Sequence, residues 1–140
     1  MLIQAVRKYP QKLGLKIAFD DRLARLIYAG SDFFLIPSRY EPCGLTQMYS
    51  LRYGTIPIVR STGGLKDSVQ EFNPQRLEGN GFLFEEYETL SLLAALDRAL
   101  GFYQQKPFWA KLKDNAFRCD FSWEKSALNY YELYLKILRF

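Results

Sequence analysis

The chain has 140 residues, of which 49% are hydrophobic, 24% charged and 16% aromatic, and this composition is typical of one globular domain with a single core. Its formal net charge of +4 favours anionic partners, but the basic residues are scattered and form no stripe of the kind that binds nucleic acid. With no His and only two Cys, the chain lacks Ser-His or Cys-His nucleophile pairs and the ligands of a zinc site.

Apolar runs of strand length recur between helical patterns along the chain. They cover residues 16–19, 33–36, 56–59 and 81–84. Runs that are apolar throughout, rather than alternating, are typical of strands covered on both faces, as in the parallel sheets of α/β folds. We therefore predict an α/β domain with a short parallel sheet of about four strands, flanked by helices.

The predicted helices have recognisable ends. Asp20 or Asp21 caps a helix that Gly30 stops, and Gly54 is a left-handed cap for the following helix. A long final helix begins at the cap Ser122 and carries an apolar stripe of Leu128, Tyr131, Tyr134, Leu135 and Leu138. The predicted helical segments are 2–9, 20–29, 44–53, one that starts after Gly63-Gly64, a longer one from Thr89, 108–117 and 122–138.

The loop after the second apolar run places one acid at a stiff corner. Glu41 precedes Pro42, which biases Glu41 toward an extended conformation, and Gly44 leaves room for a ligand to approach the backbone. In an open parallel sheet, ligands bind beyond the carboxyl ends of the strands, where such loops lead into helices. Spacing leaves two interpretations open: Glu41 faces a ligand, or it interacts with a helix amino terminus.

The loop after the third run, Thr62-Gly63-Gly64, lacks side-chain bulk at the start of a helix. Exposed backbone N–H groups at such a place can point at an anion, with support from the helix dipole, so a phosphate site is one interpretation. The other is an ordinary strand-to-helix turn in which Gly provides a positive φ, and the tripeptide alone favours this second interpretation.

Together, the motifs of the chain resemble those of one enzyme family. The segments PSRYEPCGLTQ, LRYGTIPIVRSTGGL and DFSWEKSALNYYELY are similar to segments of the glycogen and starch synthases, which are retaining glucosyltransferases that extend α-1,4-glucan from a nucleotide-glucose donor. The similarity runs from about Lys16 to Leu138. It implies that residues 1–140 are a single partial, Rossmann-like domain, the latter part of the carboxy-terminal, nucleotide-sugar-binding domain of the GT-B arrangement.

The resemblance also implies roles for individual residues. Glu41 is then the candidate catalytic residue, which holds hydroxyls of the donor glucose and helps to stabilise an oxocarbenium-like transition state. Phe19 matches an aromatic position that stacks on adenine, and Tyr49 stands where related transferases hold the ribose. The other candidate substrate-binding residues are Cys43, Gly44 and Leu45 beside the glucose, Thr46 at the diphosphate, and Thr62, Gly63 and Gly64 beside the phosphate and sugar.

Departures from the family pattern limit what we expect of the chain alone. The family's first domain supplies a Lys-Thr/Ser-Gly-Gly-Leu loop, a cleft His and most of the acceptor surface, and none of these is present. An Arg and a Lys that neutralise the diphosphate in the family have no counterpart, and Arg25 stands where His is common. Because such cations stabilise the leaving group, we expect the isolated chain to be nearly inactive.

The expected partners are a nucleotide sugar, ADP-glucose or UDP-glucose, and an α-1,4-glucan. The missing amino-terminal GT-B domain and self-association are further expected partners, whereas no metal, cofactor, nucleic acid or membrane is implied. No apolar run approaches the ~20 residues needed to span a bilayer, so we expect a cytoplasmic location, or a plastid in a plant. Two alternatives stay open: a non-catalytic remnant that binds nucleotide or glucan, and a GT-B transferase of other sugar specificity.

Overall fold

The computed structural model describes residues 1–138, in which two helices are followed by alternating strands and helices and then by further helices. The elements are α1 (Leu2–Lys8), α2 (Asp21–Gly30), β1 (Phe33–Ile36), α3 (Thr46–Arg52), β2 (Ile56–Arg60), α4 (Gly63–Ser68), β3 (Phe82–Phe84), α5 (Thr89–Gln104), α6 (Lys106–Phe117) and α7 (Trp123–Ile137). This arrangement confirms an α/β fold that ends in a long helix.

Within residues 1–138 the strands form one parallel sheet in the order β1-β2-β3. The register pairs Phe33 with Ile56 and Ile58 with Phe82, so β2 is the central strand. Ile56, Ile58 and Val59 are fully buried because layers of helices and loops cover both faces of β2. The prediction of strands covered on both faces is confirmed for β2, whereas in the edge strand β1 only Ile36 is buried and Leu35 is 43% exposed.

The predicted first strand over 16–19 does not form, so the sheet has three strands rather than about four. Ile17 is 79% exposed and Phe19 is fully exposed, and the segment pairs with no strand among residues 1–138. An apolar run is necessary for a buried strand, but it is not sufficient. A strand also needs a hydrogen-bonded neighbour and a layer that covers its side chains, and this segment has neither.

Two core clusters hold helices against the sheet. In one, α5 and α6 contribute Ala95 and Leu112, which pack with Phe82 of β3. In the other, Val59 of β2 packs with Leu65 of α4 and with Val69, which follows that helix. The loops at the carboxyl ends of β1 and β2 therefore lead into helices that are anchored to the same sheet.

Most predicted helix ends are confirmed. The side chain of Asp20 accepts a hydrogen bond from the Leu23 amide at 2.9 Å, and that of Ser122 accepts one from the Lys125 amide at 3.3 Å. Gly54 has a φ of +72°, as a left-handed cap requires. Helix α3 begins at Thr46 rather than near Gly44.

Helix α7 presents its apolar stripe to solvent. The five predicted stripe residues are between 38% and 80% exposed, and α7 contributes no buried residue to the described chain. Within residues 1–138, the apolar stripe of α7 is therefore not packed into the core. None of the helices in residues 1–138 combines the length and apolar character that crossing a bilayer would require.

Candidate active site

The two loops that the sequence singled out lie against each other at the carboxyl edge of the sheet. Loop 37–45 follows β1. Loop 61–64, whose two glycines are the first residues of α4, follows the neighbouring strand β2. The amide of Gly64 donates hydrogen bonds to the carbonyl oxygens of Glu41 and Pro42, at 3.1 and 3.2 Å. The acid-bearing loop and the glycine-bearing loop thus form one corner.

The two glycines of loop 61–64 are required by this contact. Gly63 has a φ of +46°, and a methyl group on its Cα would lie 2.0 Å from the Glu41 carbonyl oxygen. A methyl group on Gly64 would lie 2.1 Å from the carbonyl oxygen of Cys43. Both distances are far inside van der Waals contact, so no other residue type fits without moving the acid-bearing loop.

This geometry bears on both interpretations of Thr62-Gly63-Gly64. The positive φ of Gly63 and the close packing give the glycines the structural role that the tripeptide alone favoured. Because the Gly64 amide is used by the acid-bearing loop, it is not free to bind an anion. That Thr62, Gly63 and Gly64 lie beside the phosphate and sugar of a donor stays a prediction.

Gln47 of α3 is the residue that sequence reasoning missed at this corner. Its side chain is fully buried, and Nε2 donates to the carbonyl oxygens of Cys43 at 3.1 Å and Gly44 at 3.0 Å, and to Oγ of Ser68 at 3.1 Å. Ser68 Oγ in turn donates to the Gly64 carbonyl oxygen. The buried amide therefore ties the acid-bearing loop to α4.

A local signal for Gln47 existed in the sequence. It stands four and three residues after Cys43 and Gly44, the spacing at which a side chain in a first helical turn reaches back to preceding backbone. Its Oε1 atom is buried and has no hydrogen-bond partner among residues 1–138. An unpartnered buried oxygen is costly, so the three contacts of Nε2 must outweigh that cost.

Glu41 is half-buried, and its carboxylate makes no hydrogen bond or ion pair with any of residues 1–138. Among residues 1–138, no amide at the start of α3 or α4 donates a hydrogen bond to this carboxylate, and both interpretations of Glu41 stay predictions. The Glu41 side chain passes close to Gly44, since a methyl group on Gly44 would approach Glu41 Cγ to 3.1 Å. Its side chain is therefore available to a ligand at the corner.

The other predicted residues are spread around α3 and the segment before α2. Thr46 is the first residue of α3, and Cys43 is an exposed free thiol. Leu45 and Tyr49 line a cavity of about 510 Å³ together with Arg52 and the segment 119–122, and Glu41 lies outside its lining. Phe19 stands on an irregular segment with its ring fully exposed.

The surroundings of Tyr49 are aromatic and carry a local charge pair. The ring of Tyr28 lies 6.1 Å from that of Tyr49, and burial, with a smaller contribution from Tyr49, raises the pKa of Tyr28. Arg25, at the position where the resembling family commonly has His, forms an exposed ion pair with Asp21 at 2.8 Å. Exposed pairs of this kind add little to stability.

Comparison with known proteins relates the chain to glycosyltransferases. The family described as Glycosyl transferases group 1 matches residues 11–116. A glycogen synthase of Kosmotoga olearia is 56% identical over 131 residues, which cover 94% of this chain and 28% of that protein. A glycogen synthase of Fervidobacterium nodosum is 59% identical over 127 residues, 91% of this chain and 26% of that protein.

Solved structures give the same relationship. The catalytic domain of Starch Synthase IV from Arabidopsis thaliana bound to ADP and acarbose superposes with a TM-score of 0.82 at 38% identity, over 96% of this chain and 28% of that one. Sucrose-phosphate synthase from Thermosynechococcus elongatus superposes with a TM-score of 0.68 at 25% identity, over 99% of this chain and 34% of that one.

The chain thus spans little more than a quarter of the length of the glycogen synthases it matches, and it corresponds to their carboxy-terminal part. Its parallel sheet, its flanking helices and its glycine-bearing loops agree with this correspondence. The chain belongs to the group 1 glycosyltransferases, which have the GT-B fold.

Proposed function

We propose that the chain is the donor-binding part of a retaining α-1,4-glucan synthase. In this proposal the complete cytoplasmic enzyme transfers glucose from ADP-glucose to the non-reducing end of glycogen or starch. The identity to bacterial glycogen synthases supports the reaction class. The likeness to a starch synthase catalytic domain bound to ADP and acarbose supports an adenine nucleotide donor and a glucan-like acceptor.

The observation that carries the proposal is the carboxylate of Glu41, which has no hydrogen-bond partner among residues 1–138, on a loop with restricted conformation. The loop is held by the Gly64 amide and by Gln47, so the acid is presented from a fixed backbone. A fixed negative charge near the anomeric carbon would stabilise the positive charge that develops as the glucosyl bond breaks. Preorganisation matters because the loop does not have to reorganise during the reaction.

In this proposal, different neighbours of Glu41 contact different parts of the donor. The backbone of Cys43, Gly44 and Leu45 contacts the glucose, and Thr46 contacts the diphosphate. The ribose lies beside Tyr49, and the adenine ring stacks on Phe19, which offers an uncovered aromatic face. Thr62 and Gly63 border the phosphate, and no metal or other cofactor is required by these groups.

Catalysis needs groups that these 140 residues do not supply. The sequence contains no His, and no Arg or Lys matches the family's diphosphate-binding pair. We therefore propose that the chain binds the donor weakly and transfers glucose at a very low rate, while a further domain completes the site. Loss of such cations is expected to cost orders of magnitude in rate because electrostatic stabilisation is often the largest catalytic contribution.

Titration of ADP and ADP-glucose, each with the purified chain, tests donor binding, and an assay with labelled ADP-glucose and glycogen tests transfer. We expect both ligands to bind and transfer to stay near background. Glu41→Gln should weaken ADP-glucose binding while ADP affinity is nearly unchanged, and the matched exposed substitution Glu124→Gln on α7 should change neither. If neither ADP nor ADP-glucose binds, the proposal of donor binding is refuted. Rapid glucosyl transfer by the purified chain would refute the need for a further domain.

Other sugar specificity is a second candidate, which the likeness to sucrose-phosphate synthase favours at lower similarity. Titration with ADP-mannose, which differs from ADP-glucose only in the sugar, separates the two. The proposal expects ADP-glucose to bind more tightly than ADP-mannose, and the reverse order would favour the second candidate. A non-catalytic role through self-association is tested in parallel by the molar mass in solution, because the exposed stripe of α7 is a surface that could pair.

A further inference from the structure

Arg60, the last residue of the central strand β2, connects the ends of all three strands. Its Nε donates to the carbonyl oxygen of Ser38 at 3.1 Å, and its Nη2 donates to that of Arg39, both in the loop that follows β1. Its Nη1 donates to the carbonyl oxygen of Glu85, just after β3, at 3.1 Å. The guanidinium also lies 5.8 Å from the centre of the Tyr87 ring.

These contacts hold the acid-bearing loop on the side opposite to Gln47. Gln47 binds the carbonyl oxygens of Cys43 and Gly44, which follow Glu41, whereas Arg60 binds those of Ser38 and Arg39, which precede it. The backbone at Glu41 is therefore held on both sides by buried or half-buried donors. Between these two attachments, the Gly64 amide binds Glu41 itself.

The geometry of these contacts is specific to arginine. A planar guanidinium presents donors in several fixed directions, and three carbonyl oxygens from two separate loops meet it here. A lysine ammonium is a compact point charge on a flexible stem, so it cannot reproduce the divergent set. Hydrogen bonds from a charged donor are also stronger than those between neutral groups.

We propose that Arg60 is a positioning residue that sets the orientation of Glu41 toward the donor glucose. This inference rests on the proposed function for its consequence, but its structural part is independent of any ligand. Arg60 touches neither donor nor acceptor in the proposal. It acts by fixing the start of the loop while Gln47 fixes the end.

The peptide bond between Arg39 and Tyr40 offers a direct measurement, because trypsin cleaves after Arg39 and the carbonyl group of that bond is the one that Arg60 holds. In Arg60→Met and Arg60→Lys, we expect tryptic cleavage at this bond to rise about tenfold relative to cleavage after Arg76 in the same sample. The Gly64 amide, which donates to Glu41, should exchange its hydrogen about tenfold faster while Ile58 is unchanged.

Arg98→Lys is the matched control, since Arg98 also donates to a backbone carbonyl oxygen, that of Leu83 in β3, at 2.7 Å. It should leave cleavage after Arg39 and exchange at Gly64 unchanged. An equal rise at Arg39 and Arg76 would mean general destabilisation and would overturn the inference. Unchanged cleavage in Arg60→Met would overturn it as well, and so would full restoration by Arg60→Lys.

Donor titration separates this inference from the proposed function. If both hold, Arg60→Met lowers the affinity for ADP-glucose about tenfold more than the affinity for ADP, and Arg98→Lys lowers neither. If the unmodified chain binds neither ligand, the proposed function fails, and the cleavage and exchange results still decide whether Arg60 holds the loop. If donor affinities are unchanged although the loop is released, the positioning role in donor binding is refuted.

Discussion

The acid-bearing loop and helix α7 both carry motifs of the synthase family, yet they differ in how far the rest of the chain holds them. Backbone groups of Glu41, Pro42 and Cys43 contact the glycines of the next loop or the buried amide of Gln47. In α7 the large apolar side chains are between 38% and 86% exposed. The geometry of the site corner thus comes from this chain's own contacts, whereas the family-like surface of α7 plays no part in the described core.

The largest effect is expected from filling the space between the two loops. Gly64→Ala places a methyl group 2.1 Å from the Cys43 carbonyl oxygen, so we expect the free energy of unfolding to fall by about 3 kcal/mol or more. The control is Gly101→Ala in α5, where a methyl group meets nothing within 4 Å and should stabilise by about 0.5–1 kcal/mol. Urea denaturation measures both, and a neutral Gly64→Ala would contradict the packed corner.

A smaller loss is expected when the buried amide is removed. Gln47→Met keeps a similar volume but leaves the carbonyl oxygens of Cys43 and Gly44 without their donor, which should cost about 2 kcal/mol. The substitution also removes the unpartnered Oε1 atom, which moderates the loss. Gln104→Met on the exposed face of α5 should change the free energy of unfolding by less than about 0.5 kcal/mol. Equal losses of unfolding free energy in Gln47→Met and Gln104→Met would show that the hydrogen bonds of Gln47 do not stabilise the acid-bearing loop.

A modest, pH-dependent effect is expected where α7 joins the body of the chain. Hydrogen bonds from the side chain and the amide of Ser122 lower the pKa of Asp120 from its ordinary value of 3.8. A lowered pKa in the folded state means that the carboxylate stabilises the fold above that ordinary value, and that this contribution is lost as the pH falls through the folded-state pKa. Asp120→Asn should therefore be less stable than the unmodified chain at pH 7, with the difference shrinking as the pH falls below 3.8 and through the lowered folded-state pKa. Denaturation at pH 7 and at a series of pH values below 3.8 measures it, and a difference that grows on acidification would contradict the lowered pKa.

No change in stability is expected from the exposed stripe of α7. Leu128 and Tyr134 are 62% and 58% exposed, so Leu128→Gln and Tyr134→Gln should each change the free energy of unfolding by less than about 0.5 kcal/mol. Denaturation at low protein concentration keeps any self-association out of the measurement. A loss above about 1.5 kcal/mol would mean that the stripe packs on the folded chain, and the contrast with the site corner would fail.

The sequence predicted some strands and site residues and missed others, and the difference depends on whether contacts with the rest of the chain hold the segment. Runs 33–36 and 56–59 both became strands, but only the central strand β2 is buried throughout, whereas the edge strand β1 buries Ile36 and leaves Leu35 43% exposed. Run 16–19 has a similar pattern but pairs with no neighbouring strand. The sequence of four residues does not indicate whether a distant strand will pair with them.

The pattern of residues placed Glu41 and the glycines at strand ends but left two interpretations open for each, and only the resemblance to the glycogen and starch synthases implied their site roles. Gln47 has a local helical signal, but its bond to Ser68 is long-range. Arg60 was missed because its partners are backbone carbonyl oxygens more than 20 residues away, and side-chain contacts to distant backbone have no sequence pattern. Only the folded chain brings these groups together.

The central claim is that the corner around Glu41 lines the donor-glucose site. Amide chemical-shift changes on addition of millimolar ADP-glucose or ADP test this claim most directly. The account predicts that ADP-glucose shifts the amides of Gly44, Leu45 and Gly63, that ADP alone shifts these much less, and that Glu41→Gln reduces the difference. Shifts confined to other parts of the chain, or identical shifts at the corner with both ligands, would contradict it.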